Sequence, residues 1–127
     1  MARYYFGQIY LAYVNDGAGH TKEHPVLIID PDEGCASGEA IQVVVISTKI
    51  ENPCPDHHVR VHHDRNYDRF TGLSEPCVAK CNWAPSVEPR RFIKFLGSMP
   101  DDLLDSIIDK VNELLDDPSF DGWVDRE

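Results

Sequence analysis

The chain has 127 residues and a mass of 14.4 kDa, with 42% hydrophobic and 27% charged residues. This is the size and composition of one folded domain, so neither a disordered chain nor a two-domain enzyme is expected. No apolar run approaches the roughly 20 residues of a membrane span, and the first residues lack the apolar stretch of a secretory signal, so we expect a cytoplasmic protein without a membrane partner.

The net charge of -10 is concentrated at one end of the chain. Residues 99–127 contain two basic and ten acidic residues, whereas residues 1–98 contain ten basic and twelve acidic residues. A chain that is acidic throughout would repel nucleic acid, because both are polyanions. A nearly neutral body, in contrast, leaves room for an anion-binding face.

Six short segments rich in β-branched, aromatic or alternating apolar residues predict strands. They lie at residues 8–14, 25–30, 40–48, 58–63, 77–83 and 91–96. Six strands in fewer than 100 residues, separated by Gly and Pro turns, favour a small, strongly curved antiparallel barrel.

The last third of the chain changes to helical periodicity. Ser98 and Asp101 resemble a capping box around Pro100, and apolar residues from Leu103 to Leu115 form one stripe. The order of elements therefore predicts a mainly β fold, a barrel of about six strands with a C-terminal helix. We expect one domain over residues 1–127, with its core at about residues 7–115 and an acidic, aromatic tail at residues 116–127.

Cysteine and histidine residues give little support for a metal site. The four cysteines include no CxxC pair, and the spacing of Cys77 and Cys81 puts both sulfurs on one face of a strand, which favours burial over metal binding. Alternation likewise puts Arg60 on the same face as His58 and His62, which favours a solvated or RNA-facing strand. We expect no metal and no cofactor.

Five segments, in their order and spacing, resemble the PemK/MazF family of toxins from toxin–antitoxin systems. They are GQIYLAYV, HPVLIID, VVVISTK, GLSEPCVAKCNW and FLGSMPDDLLDSIIDKVNELL, and the resemblance extends from about Gly7 to about Leu115. The resemblance implies an SH3-like barrel, a homodimer and metal-independent, sequence-specific endoribonuclease activity on single-stranded mRNA. It also implies that RNA lies in a groove across the dimer interface, which a cognate antitoxin blocks.

The catalytic pair of this family is an Arg before the Pro of the second strand and a Thr or Ser at the end of the third strand. The resemblance assigns the second position to Ser47, with Thr48 beside it. His24, directly before Pro25, stands where the family has its Arg. In the first loop, where the family often carries a Glu and a Gln, this chain supplies His20.

RNA cleavage through its own 2′-hydroxyl needs a base, an acid and a cation that offsets charge on the phosphorane. An Arg is always charged, whereas an imidazole titrates near neutral pH and is cationic only when protonated. His24 and His20 are therefore sufficient as base and acid, and a hydroxyl at Ser47 or Thr48 can orient a phosphate oxygen. The alternative is a catalytically impaired homologue that binds RNA or a protein.

Several other residues are candidates for RNA contacts, and a solvated surface charge is the alternative for each basic one. Trp83 either stacks on a base or belongs to the core. The complete set of RNA-binding candidates is His20, Lys22, Arg60, Arg65, Arg69, Asn82, Trp83 and Arg90.

Two further alternatives stay open. The tail carries Phe120 and Trp123 among acidic residues, so it either packs on the barrel or imitates an antitoxin segment and screens the groove. The fold by itself also allows a toxin that binds a topoisomerase rather than RNA.

Overall fold

The computed structural model describes residues 4–15, 20–29, 40–48, 50, 57–61, 70–73 and 75–116. One antiparallel sheet holds the seven strands of these ranges, and helix α1 follows at Asp101–Asp116. The predicted mainly β fold with a C-terminal helix is therefore confirmed. The strands are β1 Gln8–Asn15, β2 Thr21–Ile28, β3 Ile41–Ser47, β4 His58–Val61, β5 Cys77–Lys80, β6 Ser86–Val87 and β7 Phe92–Ser98.

The sheet differs from the predicted barrel in closure and in strand number. Its order is β4-β5-β3-β2-β1-β7, with β6 also paired to β3, and within the described ranges β4 and β7 form no ladder with each other. The seventh strand arises from a bulge opposite β3. Val45 faces Lys80 and Ile41 faces Val87, so four steps along β3 correspond to seven steps along its partner. The predicted strand at residues 77–83 consequently ends at Lys80 and pairing resumes at Ser86.

Both faces are buried along residues 26–28 of β2 and 43–46 of β3, which explains why these stretches are continuous apolar runs rather than alternating ones. Leu27 and Val44 point into a cluster completed by Leu103, Leu104, Ile107 and Val111 of α1. Their neighbours Val26 and Val45 point into a second cluster on the other face, together with Trp83. The second face is the one that leads to the candidate site.

Cys77 and Cys81 are free thiols buried in the cluster under α1, as the spacing of four predicts. Burial raises the pKa of the Cys81 thiol to about 12, and the positive charge of Lys110 only partly opposes this shift. A thiol that stays protonated behaves as a small core residue.

Among the described residues, no helix is both long and apolar enough to span a membrane.

Candidate active site

The register of β2 and β3, continued by two residues beyond its last pair, puts His24 and Ser47 side by side on one face. Val26 of β2 and Val45 of β3 are paired and both belong to the second cluster. His24 and Ser47 each lie two residues beyond that pair, in the same direction along the sheet. Because side chains alternate along a strand, both side chains are on the same face as Val26 and Val45. Two of the three residues that the sequence analysis assigned to catalysis, His24 and Ser47, are thus neighbours across two strands, and Thr48 follows Ser47 in the chain.

The same face continues over β5 and β4. Ser47 pairs with Val78, and Val78 pairs in turn with Arg60. Lys80 pairs with both Val45 and His58, one row away. We call the surface that carries His24, Ser47, His58, Arg60 and Lys80 the His24 face. The predicted placement of His58 and Arg60 on one face is confirmed, and His62 lies outside the described residues.

Trp83 packs on the His24 face and contacts two of its polar side chains. The His24 and Trp83 rings meet edge-to-face with their centroids 5.4 Å apart, and the Lys80 ammonium lies 5.8 Å from the Trp83 centroid. Trp83 is only 1% exposed and belongs to the second cluster. Burial therefore favours the core alternative for Trp83 over base stacking. As a core residue, Trp83 supports the His24 ring from the side of the core.

Lys80 is the residue of this face that the sequence analysis missed. It is only 8% exposed, although lysine is among the residue types least often buried. The sequence offers only a lysine among the apolar and cysteine residues of the predicted strand at residues 77–83, and the structure shows that all four residues of Cys77–Lys80 are buried. A lysine in such a strand indicates that its charged end has a specific environment, and here the Trp83 ring forms part of it.

Exposure differs sharply among the predicted site residues. Ser47 is 7% exposed, whereas Thr48, directly beyond the end of β3, is exposed. His20 is exposed just before β2 begins, and Lys22 is exposed within β2 opposite Val14. The strand rise puts the Cα of His20 about 13 Å from that of His24, so only their side chains can approach a common phosphate.

Other predicted RNA contacts lie apart from the His24 face or outside the described residues. Arg90 is in the 3-10 turn Pro89–Arg91, exposed, with its Nε 2.9 Å from a Glu88 carboxylate oxygen. Asn82 is partly buried beside Trp83, and its Oδ1 is buried without a hydrogen bond to the described residues. Arg65, Arg69 and residues 117–127 of the tail are not among the described residues.

A separate cleft of about 180 Å³ lies at the edge formed by β1 and β6. Arg91 is part of its lining and donates from Nη1 to Asn15 Oδ1 at 3.4 Å. None of the predicted catalytic residues lines this cleft. No group of three or more His, Cys, Asp or Glu side chains within the described ranges is arranged to hold a metal ion.

Fold and site together define a small protein with a curved sheet and a C-terminal helix, whose sheet carries basic, imidazole and hydroxyl groups on one face. A family model described as "PemK-like, MazF-like toxin of type II toxin-antitoxin system" matches residues 5–115. The chain belongs to this family. The resemblance found in the sequence is therefore confirmed. A comparison with curated proteins returns no significant match.

Solved structures agree on the fold. The MazF-mt6 toxin of Mycobacterium tuberculosis is similar at 17% identity with a TM-score of 0.60, covering 86% of this chain and 96% of that one. MazF from Deinococcus radiodurans, at 18% identity, has a TM-score of 0.68 and covers 91% and 98%. An endoribonuclease in complex with its cognate antitoxin from a mycobacterial species has 14% identity and a TM-score of 0.67, covering 91% and 97%.

Proposed function

We propose that this toxin is a metal-independent, sequence-specific endoribonuclease that cleaves single-stranded RNA in the cytoplasm. Membership of the PemK/MazF family supports the class of activity. One observation supports particular residues: when the β2–β3 register is continued by two residues, His24 and Ser47, at the positions of the family's catalytic pair, fall side by side on one face of the sheet. We also propose that residues 1–127 form one domain that acts as a homodimer and is neutralised by a cognate antitoxin, in keeping with a similar structure described as MazE–MazF from Deinococcus radiodurans.

The reaction assigns a separate task to each polar group. The 2′-oxygen attacks phosphorus as the bond from phosphorus to the 5′-oxygen breaks, which leaves a 2′,3′-cyclic phosphate and a 5′-hydroxyl. His24 accepts the 2′-hydroxyl proton, and His20 donates a proton to the departing 5′-oxygen. The hydroxyl of Ser47 or Thr48 donates a hydrogen bond to a non-bridging phosphate oxygen. Atoms and protons balance without any other reagent.

The contacts of His24 favour this assignment. A base must be held within hydrogen-bond reach of the proton that it accepts. The edge-to-face contact with Trp83 limits how the His24 ring can turn, because Trp83 is itself fixed in the core. His24 thus has the support that a catalytic imidazole requires.

Cleavage of a long single-stranded RNA by purified protein in EDTA tests the proposal. We expect discrete fragments from the wild type, and a rate at least about 100-fold lower for His24→Ala, the typical effect of losing a general base. His57→Ala is the matched control, because His57 lies in the turn before β4 and has no assigned role. Equal cleavage by wild type and His24→Ala would indicate a contaminating nuclease or another site.

The second candidate function is an RNA-binding module without catalysis, which the replacement of the family's Arg by His24 favours. RNA binding measured on the same preparations separates the two. Binding without cleavage by a folded wild-type protein would support the module and reject the enzyme.

A further inference from the structure

The proposed chemistry leaves one task without an assigned residue. In the family, the Arg before the second-strand Pro can supply a permanent positive charge, but here that position is His24. An imidazole that accepts a proton must be neutral beforehand, so it cannot at the same time offset the negative charge of the phosphorane. A second, permanently charged group is needed close to Ser47.

We infer that Arg60 supplies this charge and contacts the scissile phosphate. Arg60 and Ser47 lie in one row of the sheet, each paired with Val78 of β5 between them. Their Cα atoms are therefore two strand spacings apart, roughly 10 Å. An extended arginine side chain covers more than half of that distance, so the Arg60 guanidinium can approach a phosphate held at the end of β3. The inference rests on the proposed ribonuclease activity and adds a residue to it.

The burial of the residues around Arg60 determines from which side a phosphate can approach it. Val78 is fully buried, so the phosphate cannot lie above it. Arg60 and Thr48, however, are both exposed, and they lie at the same end of the sheet, where β3 ends and β5 begins. A phosphate at that end can reach the Arg60 guanidinium on one side and the exposed Thr48 hydroxyl on the other.

Three other cations are less suited to this task. Arg90 is paired with Glu88, and Arg91 donates to Asn15. Lys80 is on the right face, but it is only 8% exposed and lies against Trp83. Within the described part of the chain, no carboxylate forms an ion pair with Arg60. The planar guanidinium of an arginine suits two parallel hydrogen bonds to phosphate oxygens.

Steady-state cleavage by Arg60→Ala and Arg60→Lys tests the inference. We expect Arg60→Ala to lower kcat by about 100- to 1000-fold, as removal of one transition-state donor does, with a much smaller change in KM. Arg60→Lys should retain part of the activity, because it keeps the positive charge but loses the planar guanidinium that can donate two parallel hydrogen bonds. Added guanidinium ion should partly restore Arg60→Ala, which a merely structural role of Arg60 would not allow.

The matched control is Lys94→Ala. Lys94 is an exposed cation on β7 that pairs with Leu11, on the opposite face from Ala12 and His24. Its removal changes the net charge as Arg60→Ala does, and we expect unchanged kcat. Circular dichroism and thermal unfolding of all variants establish that each is folded.

Three results overturn the inference. Cleavage by Arg60→Ala within about threefold of wild type would remove Arg60 from the reaction while leaving the proposed function intact. Equal losses in Arg60→Ala and Lys94→Ala would indicate a general charge effect on RNA binding. A folded wild-type protein that cleaves no RNA would reject the proposed function and this inference with it.

Discussion

Trp83 connects the core to the candidate active site, so its replacement tests both at once. The ring is 1% exposed, packs with Val26 and Val45, and contacts His24. Truncation of a buried Trp to Ala costs about 3–5 kcal/mol. A domain of ordinary stability has about 5–15 kcal/mol in total, so Trp83→Ala removes a large fraction of the free energy of unfolding. Trp83→Phe keeps an aromatic edge towards His24 and should cost about 1 kcal/mol.

Urea unfolding, monitored by circular dichroism, measures these losses in the free energy of unfolding. With a slope of about 1–3 kcal/mol per M, the midpoint for Trp83→Ala should fall by at least about 1 M. At a temperature where every variant is folded, Trp83→Ala should cleave RNA about tenfold to 100-fold more slowly, because His24 loses the ring that orients it.

Ile107→Ala is the control for loss of stability alone. Ile107 of α1 is fully buried in the other cluster and makes no part of the His24 face. It should lose about 2–5 kcal/mol and keep its cleavage rate while folded. The reasoning is refuted if Trp83→Ala unfolds within about 0.5 kcal/mol of wild type, or if Ile107→Ala loses as much activity as Trp83→Ala.

Three further substitutions test other parts of the account. Gly72→Ala should destabilise by at least about 2 kcal/mol in urea unfolding, because Gly72 has φ +71° and an added Cβ would lie 2.1 Å from the Leu96 carbonyl oxygen; an unchanged midpoint would contradict the close approach. Cys81 keeps its proton above pH 9 when folded but loses it when unfolded, so the unfolded state binds fewer protons and stability must fall as pH rises. From about pH 9 to the folded pKa of about 12, wild type should lose up to about 1.4 kcal/mol per pH unit more than Cys81→Ala, and parallel curves would refute the buried thiol. Lys22→Ala should weaken RNA binding several-fold and reduce the salt dependence by about one phosphate contact, whereas an unchanged salt slope would place Lys22 outside the RNA path.

Local patterns in the sequence were sufficient for the C-terminal helix and for six of the seven strands. The apolar stripe from Leu103 and the signals around Pro100 predicted α1, which begins at Asp101. The bulge between Lys80 and Ser86 was not predictable, because no strand propensity distinguishes a continuous strand at residues 77–83 from one that shifts by three residues. The open order of the sheet depends likewise on long-range pairing that no local pattern encodes.

The candidate site was predictable only in part. Resemblance to the family placed His24 and Ser47 at corresponding positions, but their adjacency follows from the register of β2 and β3, which appears only in the structure. The role of Trp83 was left open between core and base stacking, and its burial decided for the core. Lys80 was missed because a single lysine in a short strand reads as a solvated charge until its neighbours are known.

Cleavage of an RNA that carries one 2′-deoxynucleotide tests the central claim most directly, since the proposed reaction on the His24 face uses the 2′-hydroxyl as its nucleophile. The substitution is made on the 5′ side of a mapped cleavage site, and a second site in the same RNA stays unmodified. We predict that the modified site is bound but not cut, whereas the unmodified site yields a 2′,3′-cyclic phosphate and a 5′-hydroxyl. Cleavage at the deoxy position would show that water or another nucleophile attacks the phosphate, and it would contradict the roles assigned here to His24, Ser47 and Arg60.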